Sequence, residues 1–543
     1  MGRKMPKLTV MVPGAARAIP FSPGVSVREV LEGAGVLVRT ACRGNGACGL
    51  CVVQVEAGDG GSLTQTERLV LSPVQLSGNC RLACQLLPEN DLDIRIVNPA
   101  LSFGWRDLAR SRVPYAPSAL HPAAGRKPAD PAYGLAVDLG TTQISVSLWD
   151  LKHGRRRFGR VGPNPQSGYG ADVVTRLMAA SESDEDAGRL ARMPLEAIAA
   201  ALRQMCAQDG VALEAVCRAA IVGNTAMLVL LTGTDSQQLL QPDHWTRAPE
   251  FRVEPTVAWA SVLGIDPQAE VELISPLAGF VGSDLLAGVI ATRLTERAGS
   301  LLIDFGTNSE MALWDGNRLW VTSAAGGPAF EGCGMQCGMP AEFGAIYRFA
   351  ASRDSGGFQY EVLGGTEARG FCGSGIVDLI AYLRESGELT RLGTFPGPLH
   401  QEGYTISSSN PAIRLTKRDV DIFQRAKAAI GTGIGALLTH AGLSAAELSR
   451  VCVCGVFGEN LNVRNAQRIG LVPDIPPERI ELCGNTALAG CEYLLLSPAG
   501  AAELASLRER AVVVNLSQAS DFNERFLENL YLEPLKGESH EGR

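Results

Sequence analysis

Cys42, Cys48 and Cys51 stand in the run Ala41-Cys42-Arg43-Gly44-Asn45-Gly46-Ala47-Cys48-Gly49-Leu50-Cys51, and two more thiols follow in Asn79-Cys80-Arg81-Leu82-Ala83-Cys84-Gln85. Three cysteines at x5 and x2 spacing on a glycine-bearing loop, with a distant fourth, read as the ligand set of a [2Fe-2S] cluster. That chemistry needs four thiolates converging on two irons, and Gly44, Gly46 and Gly49 let backbone amides turn inward toward the sulfurs, where they tune the potential. Zinc, disulfides and inert buried thiols are the alternatives. Zinc usually shows paired C-x2-C knuckles and disulfides belong to secreted chains, so the cluster is the better reading.

A second set of chemistry-bearing residues occurs twice. Tyr133 to Trp149 holds two strands joined by Asp138-Leu139-Gly140-Thr141-Thr142, and Leu301 to Leu313 repeats the plan with Asp304-Phe305-Gly306-Thr307-Asn308. Glycines and hydroxyls at a strand-to-strand turn present donors to a phosphate, and a strand-end aspartate can hold Mg²⁺ through water. One such turn is a weak signal. Two imply duplicated lobes facing each other across a cleft.

The elements that position these residues follow from pattern. Leu8 to Val12 and Ala18 to Phe21 read as a hairpin, and Ser26 to Gly33 as a helix with Ser26 at its N-cap and Glu29 three residues on. Cys51 to Glu56 and Asp91 to Val97 alternate as strands. Together they predict a β-grasp domain over residues 1–97. Residues 98–131 are rich in proline, which favours an extended, semi-rigid linker, although Phe103, Trp105 and Tyr115 would suit a strap packed on the next domain. The first lobe then spans 132–297, with room for a middle subdomain, the second 298–535, and a polar tail 536–543. Asp419 to Gly442 places Ile422, Ala426, Ala429, Gly433 and Leu437 at helical spacing, as for a core helix.

The chain has 543 residues, 14 cysteines and a formal charge of −8. No apolar run is long enough to cross a bilayer, and no signal-peptide core follows the N-terminus, so a cytoplasmic protein is expected. Thiols in such a chain point to metal and buried cysteines. The first 131 residues are mildly basic and the rest acidic, without the basic, aromatic-studded face that a nucleic-acid partner requires.

Several stretches carry family resemblances. The x5 gap and Arg81-Leu82-Ala83-Cys84 resemble the adrenodoxin and putidaredoxin branch of [2Fe-2S] ferredoxins, which implies Cys84, not Cys80, as the fourth ligand beside Cys42, Cys48 and Cys51. The two aspartate turns resemble the phosphate loops of the actin, sugar kinase and Hsp70 (ASKHA) superfamily. Val451 to Asn460 matches its adenosine-side glycine turn through Gly455, Phe457 and Gly458. Phe371-Cys372-Gly373-Ser374-Gly375, opening a helix, offers a further N-terminus for phosphate or ribose. With Asn164 to Arg176, Val222 to Met227, Gly279 to Asp284, Ala325 to Gly332 and Cys483 to Ala487, nearly the whole chain resembles the reductive activators of corrinoid proteins.

That resemblance implies a multidomain protein, a β-grasp ferredoxin followed by an α/β, actin-like ASKHA body with duplicated RNase H-like lobes. It implies a [2Fe-2S] cluster, ATP and Mg²⁺ as cofactors, and transfer of one electron to Co(II) on a corrinoid protein of a methyltransferase system. It also implies a low-potential electron donor and a homodimer. Thr141, Thr142, Thr307 and Asn308, with Gly140 and Gly306, would hold phosphates, Asp138 and Asp304 would order Mg²⁺, and Glu331 would position water. The rivals are a redox-regulated small-molecule kinase, with Asp172 or Asp284 as its base, and an ATP-switched electron carrier. An activator resembling those of 2-hydroxyacyl-CoA dehydratases would instead hold a [4Fe-4S] cluster. Cys333 with Cys337, and Cys452 with Cys454, read as buried residues, and Arg155, Arg156, Arg157 and Arg160 as a solvated hairpin.

Overall fold

The computed structural model describes residues 5–535 apart from 13–14, 37, 41, 43, 47, 72, 98–103, 109–119, 121–130, 171, 252–255, 332–333, 353–356, 398–402, 408–412, 456 and 458. Two compact units emerge, Met1–Gly104 with Pro165–Arg176, and Trp105–Asn164 with Leu177–Arg543.

In the first unit, β1 (Lys7–Val12) and β2 (Ala15–Pro20) form the expected hairpin, and α1 (Val27–Gly33) begins at the Ser26/Glu29 capping box. β3 (Val52–Ala57), β4 (Cys80–Leu82) and β5 (Leu92–Ile96) complete a sheet of order β2-β1-β5-β3-β4, in which β5 runs parallel to β1 and antiparallel to β3. The apolar side of α1, Val27, Val30 and Leu31, packs into one core with Leu8, Val10, Val53, Leu92 and Ile94. This is a β-grasp fold. A short helix, α2 (Gln65–Val70), starts at a Thr64/Glu67 capping box.

The second unit contains the same sheet plan twice. β6 (Arg106–Asp107), β7 (Tyr133–Leu139), β8 (Gln143–Asp150), β9 (Arg155–Pro163), β10 (Val216–Gly223) and β11 (Glu270–Leu273) form a sheet of order β11-β10-β7-β8-β9-β6. β12 (Ser300–Phe305), β13 (Ser309–Trp314), β14 (Leu319–Ala324), β15 (Arg450–Gly455), β16 (Ile480–Gly484) and β17 (Ala511–Val513) follow as β16-β15-β12-β13-β14-β17. In each, the strand ending in the aspartate turn lies antiparallel to its hairpin partner and parallel to the strand on its other side. Duplicated, actin-like lobes are therefore present. They meet where α3 (Ser283–Ala291) crosses α4 (Thr486–Leu496), and a Cβ on Gly490 would lie 2.0 Å from the Ala287 carbonyl oxygen, so the crossing requires a bare Cα there.

The strap alternative holds for part of the linker, the solvated arginine hairpin is corrected for two residues, and the core helix is present. Arg106–Asp107 of the proline-rich segment pairs with β9, and the Trp105 ring covers Gly162, so this part is an edge strand of the body; the remaining linker prolines apart from Pro131 lie outside the described residues. Arg156 and Arg160 are buried on β9, facing Glu492 and Asp107, because β6 and the adjoining chain cover that edge. The long helix runs Lys417–Ala441, and its buried side centres on Phe423, Ile430, Ile434 and Leu437, leaving Ile422 and Ala429 half-buried.

Gly490→Ala should lower stability by about 1–3 kcal/mol through overpacking at the crossing. Gly188→Ala, also inside a helix but with nothing within 4 Å, should leave stability unchanged or raise it by up to about 1 kcal/mol. Thermal melts of both variants check the contrast, and equal effects would refute the tight crossing.

Candidate functional site

The first unit gathers four sulfurs. Cys51 Sγ lies 3.3 Å from Cys84 Sγ, and the Cys48 thiol hydrogen-bonds Cys42. The Cys42 thiol is held down to about 5 by that bond and by N–H donation from Cys48, Gly44 and Gly46. Gly44, Gly46 and Gly49 take φ of 97°, 85° and 68°, the left-handed conformation that aims those amides inward. The bond from Cys51, and a weaker one from the Gln85 amide 3.8 Å away, likewise lower the Cys84 thiol, and Arg28 adds positive charge. Two thiol pairs with inward amides fit the donor set of a [2Fe-2S] group. Cys80 instead packs into the domain core, its thiol directed at the Gly78 carbonyl.

Arg81 has a role the sequence did not reveal. Its guanidinium donates to both carboxylate oxygens of Glu67 at 2.8 and 3.0 Å, and both side chains are buried. Glu67 also accepts from the Leu82 N–H. The pair ties α2 to the strand leading to Cys84, so Arg81 positions that cysteine.

The second unit brings the two aspartate turns together. Thr142 Oγ1 and Thr307 Oγ1 are 3.0 Å apart, and both donate to Glu331, at 2.8 and 3.1 Å. One carboxylate thus collects a hydroxyl from each lobe. Glu331 follows the short helix Gly327–Phe330, whose Gly327 crosses so near the second loop that a Cβ would lie 1.6 Å from the Gly306 carbonyl. Asn164 braces the first loop by donating to the Gly140 carbonyl at 2.9 Å. Thr141 is buried, and Asn308 is half-buried at its turn.

Beneath the loops, four carboxylates crowd together. Burial pushes Asp138 up to about 7, Asp304 to about 8 and Asp284 to about 6, and Glu310 is also raised, with mutual repulsion adding to the rise of Asp138, Asp304 and Glu310. Two asparagines reach across the lobes to them. Asn485 Nδ2 donates to Asp138 at 2.9 Å while its Oδ1 caps α4. Asn224 Nδ2 donates to Glu310 at 3.0 Å while its Oδ1 caps the helix Thr225–Thr232. Glu310, Asn224 and Asn485 were not singled out in the sequence as functional residues. The signal was there: Gly223-Asn224-Thr225-Ala226 and Gly484-Asn485-Thr486-Ala487 are one motif at the ends of two strands.

The remaining expected residues fall around this centre. Gly455, at φ 72°, lets β15 pass Asp304, since a Cβ would lie 2.4 Å from its Oδ1. Phe457 is corrected. Its ring is fully buried edge-on against Phe305 and Phe330, so it anchors the turn and does not line the cleft. Gly458 lies outside the described residues. The Ser374 hydroxyl donates to the Tyr347 carbonyl, and Gly375, in the first turn of the helix Gly373–Glu385, packs against the Ile346 carbonyl. Gly373 contacts the Phe457 ring, which keeps this helix start beside the Gly455 turn.

Cys84→Ser should abolish or strongly alter the reduced cluster's electron paramagnetic resonance signal, while Cys80→Ser should retain it; the opposite result would reassign the ligand. Asp304 holds its proton more tightly folded than unfolded, where an aspartate titrates near about 3.9, so its contribution to stability falls as pH rises between those values. Asp304→Asn should therefore raise the melting temperature of the nucleotide- and metal-free protein, by more at pH 8 than at pH 6. A pH-independent difference would contradict the burial of this carboxyl.

Comparison with known proteins agrees with this architecture. Residues 298–540 match the family described as the C-terminal domain of RACo, the ASKHA domain, residues 133–297 the RACo middle region, and residues 10–89 the 2Fe-2S iron-sulfur cluster binding domain. The chain is 31% identical over 424 residues to the corrinoid activation enzyme RamQ of Eubacterium limosum, covering 74% of this chain and 70% of that one. It is 28% identical over 441 residues to the [Co(II) methylated amine-specific corrinoid protein] reductase of Methanosarcina barkeri, covering 73% and 76%. The solved structure of a reductive activator for corrinoid, iron-sulfur protein superposes with a TM-score of 0.66 at 25% identity, over 98% of this chain and 99% of that one. A [2Fe-2S] domain joined to an ASKHA body, in a chain this similar to corrinoid activators, belongs to the family of reductive activators of corrinoid proteins.

Proposed function

We propose that this chain uses ATP and Mg²⁺ in its two-lobed cleft to drive one-electron reduction of Co(II) to Co(I) on a corrinoid protein of a methyltransferase system. The observation that carries the nucleotide half is the convergence of Thr142 and Thr307, one hydroxyl from each lobe, on a single anion, the Glu331 carboxylate. Phosphate oxygens are acceptors of the same kind. In this reading Thr141, Thr142, Thr307 and Asn308 bind phosphates, with Gly140 and Gly306 keeping the backbone close, and Glu331 turns from the threonines to orient water.

The crowded carboxylates fit a divalent cation, because four buried anions repel one another unless a positive charge joins them. Asp138 and Asp304 would hold Mg²⁺ through water; bound there, it neutralises phosphate charge. Asn485 keeps Asp138 aimed at the cleft, and the Gly455 turn lies on the adenosine side.

Cys42, Cys48, Cys51 and Cys84 would hold the [2Fe-2S] cluster, which supplies the one-electron couple. Gly44 and Gly46 stabilise charge on the Cys42 sulfur through their amides. A plant-type cluster lies near about −400 mV, and each ~59 mV of deficit toward a lower-potential cobalt couple costs a factor of ten. The nucleotide-loaded body is therefore proposed to grip the corrinoid protein and favour loss of an axial cobalt ligand, with hydrolysis releasing the complex. A low-potential donor recharges the cluster, and the protein works as a homodimer.

The kinase alternative needs a free aspartate base. Asp172 caps a helix by accepting from Thr175, and Asp284 is hydrogen-bonded with Glu310. The test is to mix reduced protein with a Co(II) corrinoid protein and follow Co(I) absorbance with and without Mg-ATP. Growth should require ATP and fall by about 10²-fold or more in Asp304→Ala. An undiminished rate in that variant would remove Asp304 from the cation site, and ATP-independent growth would overturn the proposal.

A further inference from the structure

Three sulfurs and a carboxylate meet on the parallel pair β15 and β16, apart from the ferredoxin cysteines. Cys452 and Cys454 project from the same side of β15. Strict pairing along β16 sets Val451, Cys452 and Val453 opposite Ile480, Glu481 and Leu482, then the register shifts so that Cys454 faces Gly484. Cys483 occupies the extra position, and this irregularity turns it toward both cysteines of the neighbouring strand. Both Cys452 and Cys454 hydrogen-bond its sulfur.

Glu481 Oε, Cys452 Sγ and Cys483 Sγ all lie within 4.8 Å of one another. Arg450 clamps the Glu481 carboxylate with two bonds of 2.8 and 2.7 Å, which fixes it beside the sulfurs. The three thiols are buried, while Glu481 stands at the solvent edge and leaves a route of entry. Inert packing asks only for small apolar side chains, and it explains neither the convergence of three sulfurs nor the clamped carboxylate among them.

We propose that Cys452, Cys483 and Glu481 form a binding site for a thiophilic divalent cation of the zinc class, with a water completing its shell. Two sulfurs and a carboxylate oxygen, with a water, suit the tetrahedral preference of Zn²⁺, and binding releases the thiol protons. The ion would staple β15 to β16 just before both strands reach the cleft, β15 ending at the Gly455 turn and β16 leading into Asn485, which holds Asp138. It would therefore be structural, fixing the second lobe's side of the cleft.

The experiment uses the full chain with its iron-sulfur cluster intact, incubated with excess Zn²⁺, desalted and analysed for both metals in one sample. One zinc should remain alongside two irons per chain, and Cys483→Ser should lose the zinc and keep the iron. Glu481→Gln, at the exposed edge, should weaken zinc at least about tenfold in competition with a chromophoric chelator. Cd²⁺ in place of Zn²⁺ should give a thiolate-to-metal charge-transfer band in the difference spectrum of the wild type. The proposal is overturned if no zinc is retained at full iron occupancy, if Cys483→Ser or Glu481→Gln binds it as tightly as the wild type, or if zinc rises only as iron falls, which would place it on the ferredoxin cysteines.

Discussion

Asp138, Asp284, Asp304 and Glu310 are forced together under the two aspartate turns, and much of the body is arranged around that crowding. Burying like charges is costly unless they are neutralised or hydrogen-bonded. Without a cation the carboxyls retain protons well above their ordinary range. Asn485 and Asn224 each spend one amide atom on a helix cap and the other on a carboxyl of the opposite lobe. Lobe closure and local helix geometry are thereby coupled through two side chains. A bound cation and phosphates would replace repulsion with attraction across the same gap, which is how a ligand gains its differential affinity for one arrangement of the lobes.

The ferredoxin unit solves a related problem with the opposite sign. Four sulfurs that become anionic must be held close, and the surrounding groups are donors: the amides of Gly44, Gly46 and Cys48, the Gln85 amide and the Arg28 guanidinium. The loop can present those amides only because glycine tolerates positive φ. Behind it the buried Arg81–Glu67 pair braces the approach to Cys84. Buried pairs of this kind are better understood as devices of positioning than as sources of stability.

Much of this is legible in the sequence. The cysteine spacing, the duplicated aspartate turns, the capping box at Ser26 and the alternating strands are local patterns, since each depends on backbone conformation or on the period of burial along one element. The family resemblance extended them to a whole-chain architecture, now matched by similarity over nearly the full length. Phe457 shows where local reading fails. It lies in a motif with the right glycines, yet its ring is fully buried.

What the sequence by itself determined was therefore which residues could do chemistry and which elements carry them, because thiol spacing, turn glycines and hydrophobic period act over a few residues. Only the tertiary structure decided which side chains meet. The partnerships of Glu331 with Thr142 and Thr307, of Asn485 with Asp138, and of Cys483 with Cys452 and Cys454 join segments distant in the chain or strands whose register shifts by one residue. Contacts of that kind depend on how lobes close and sheets align, which are properties of the packed molecule and not of any stretch of sequence.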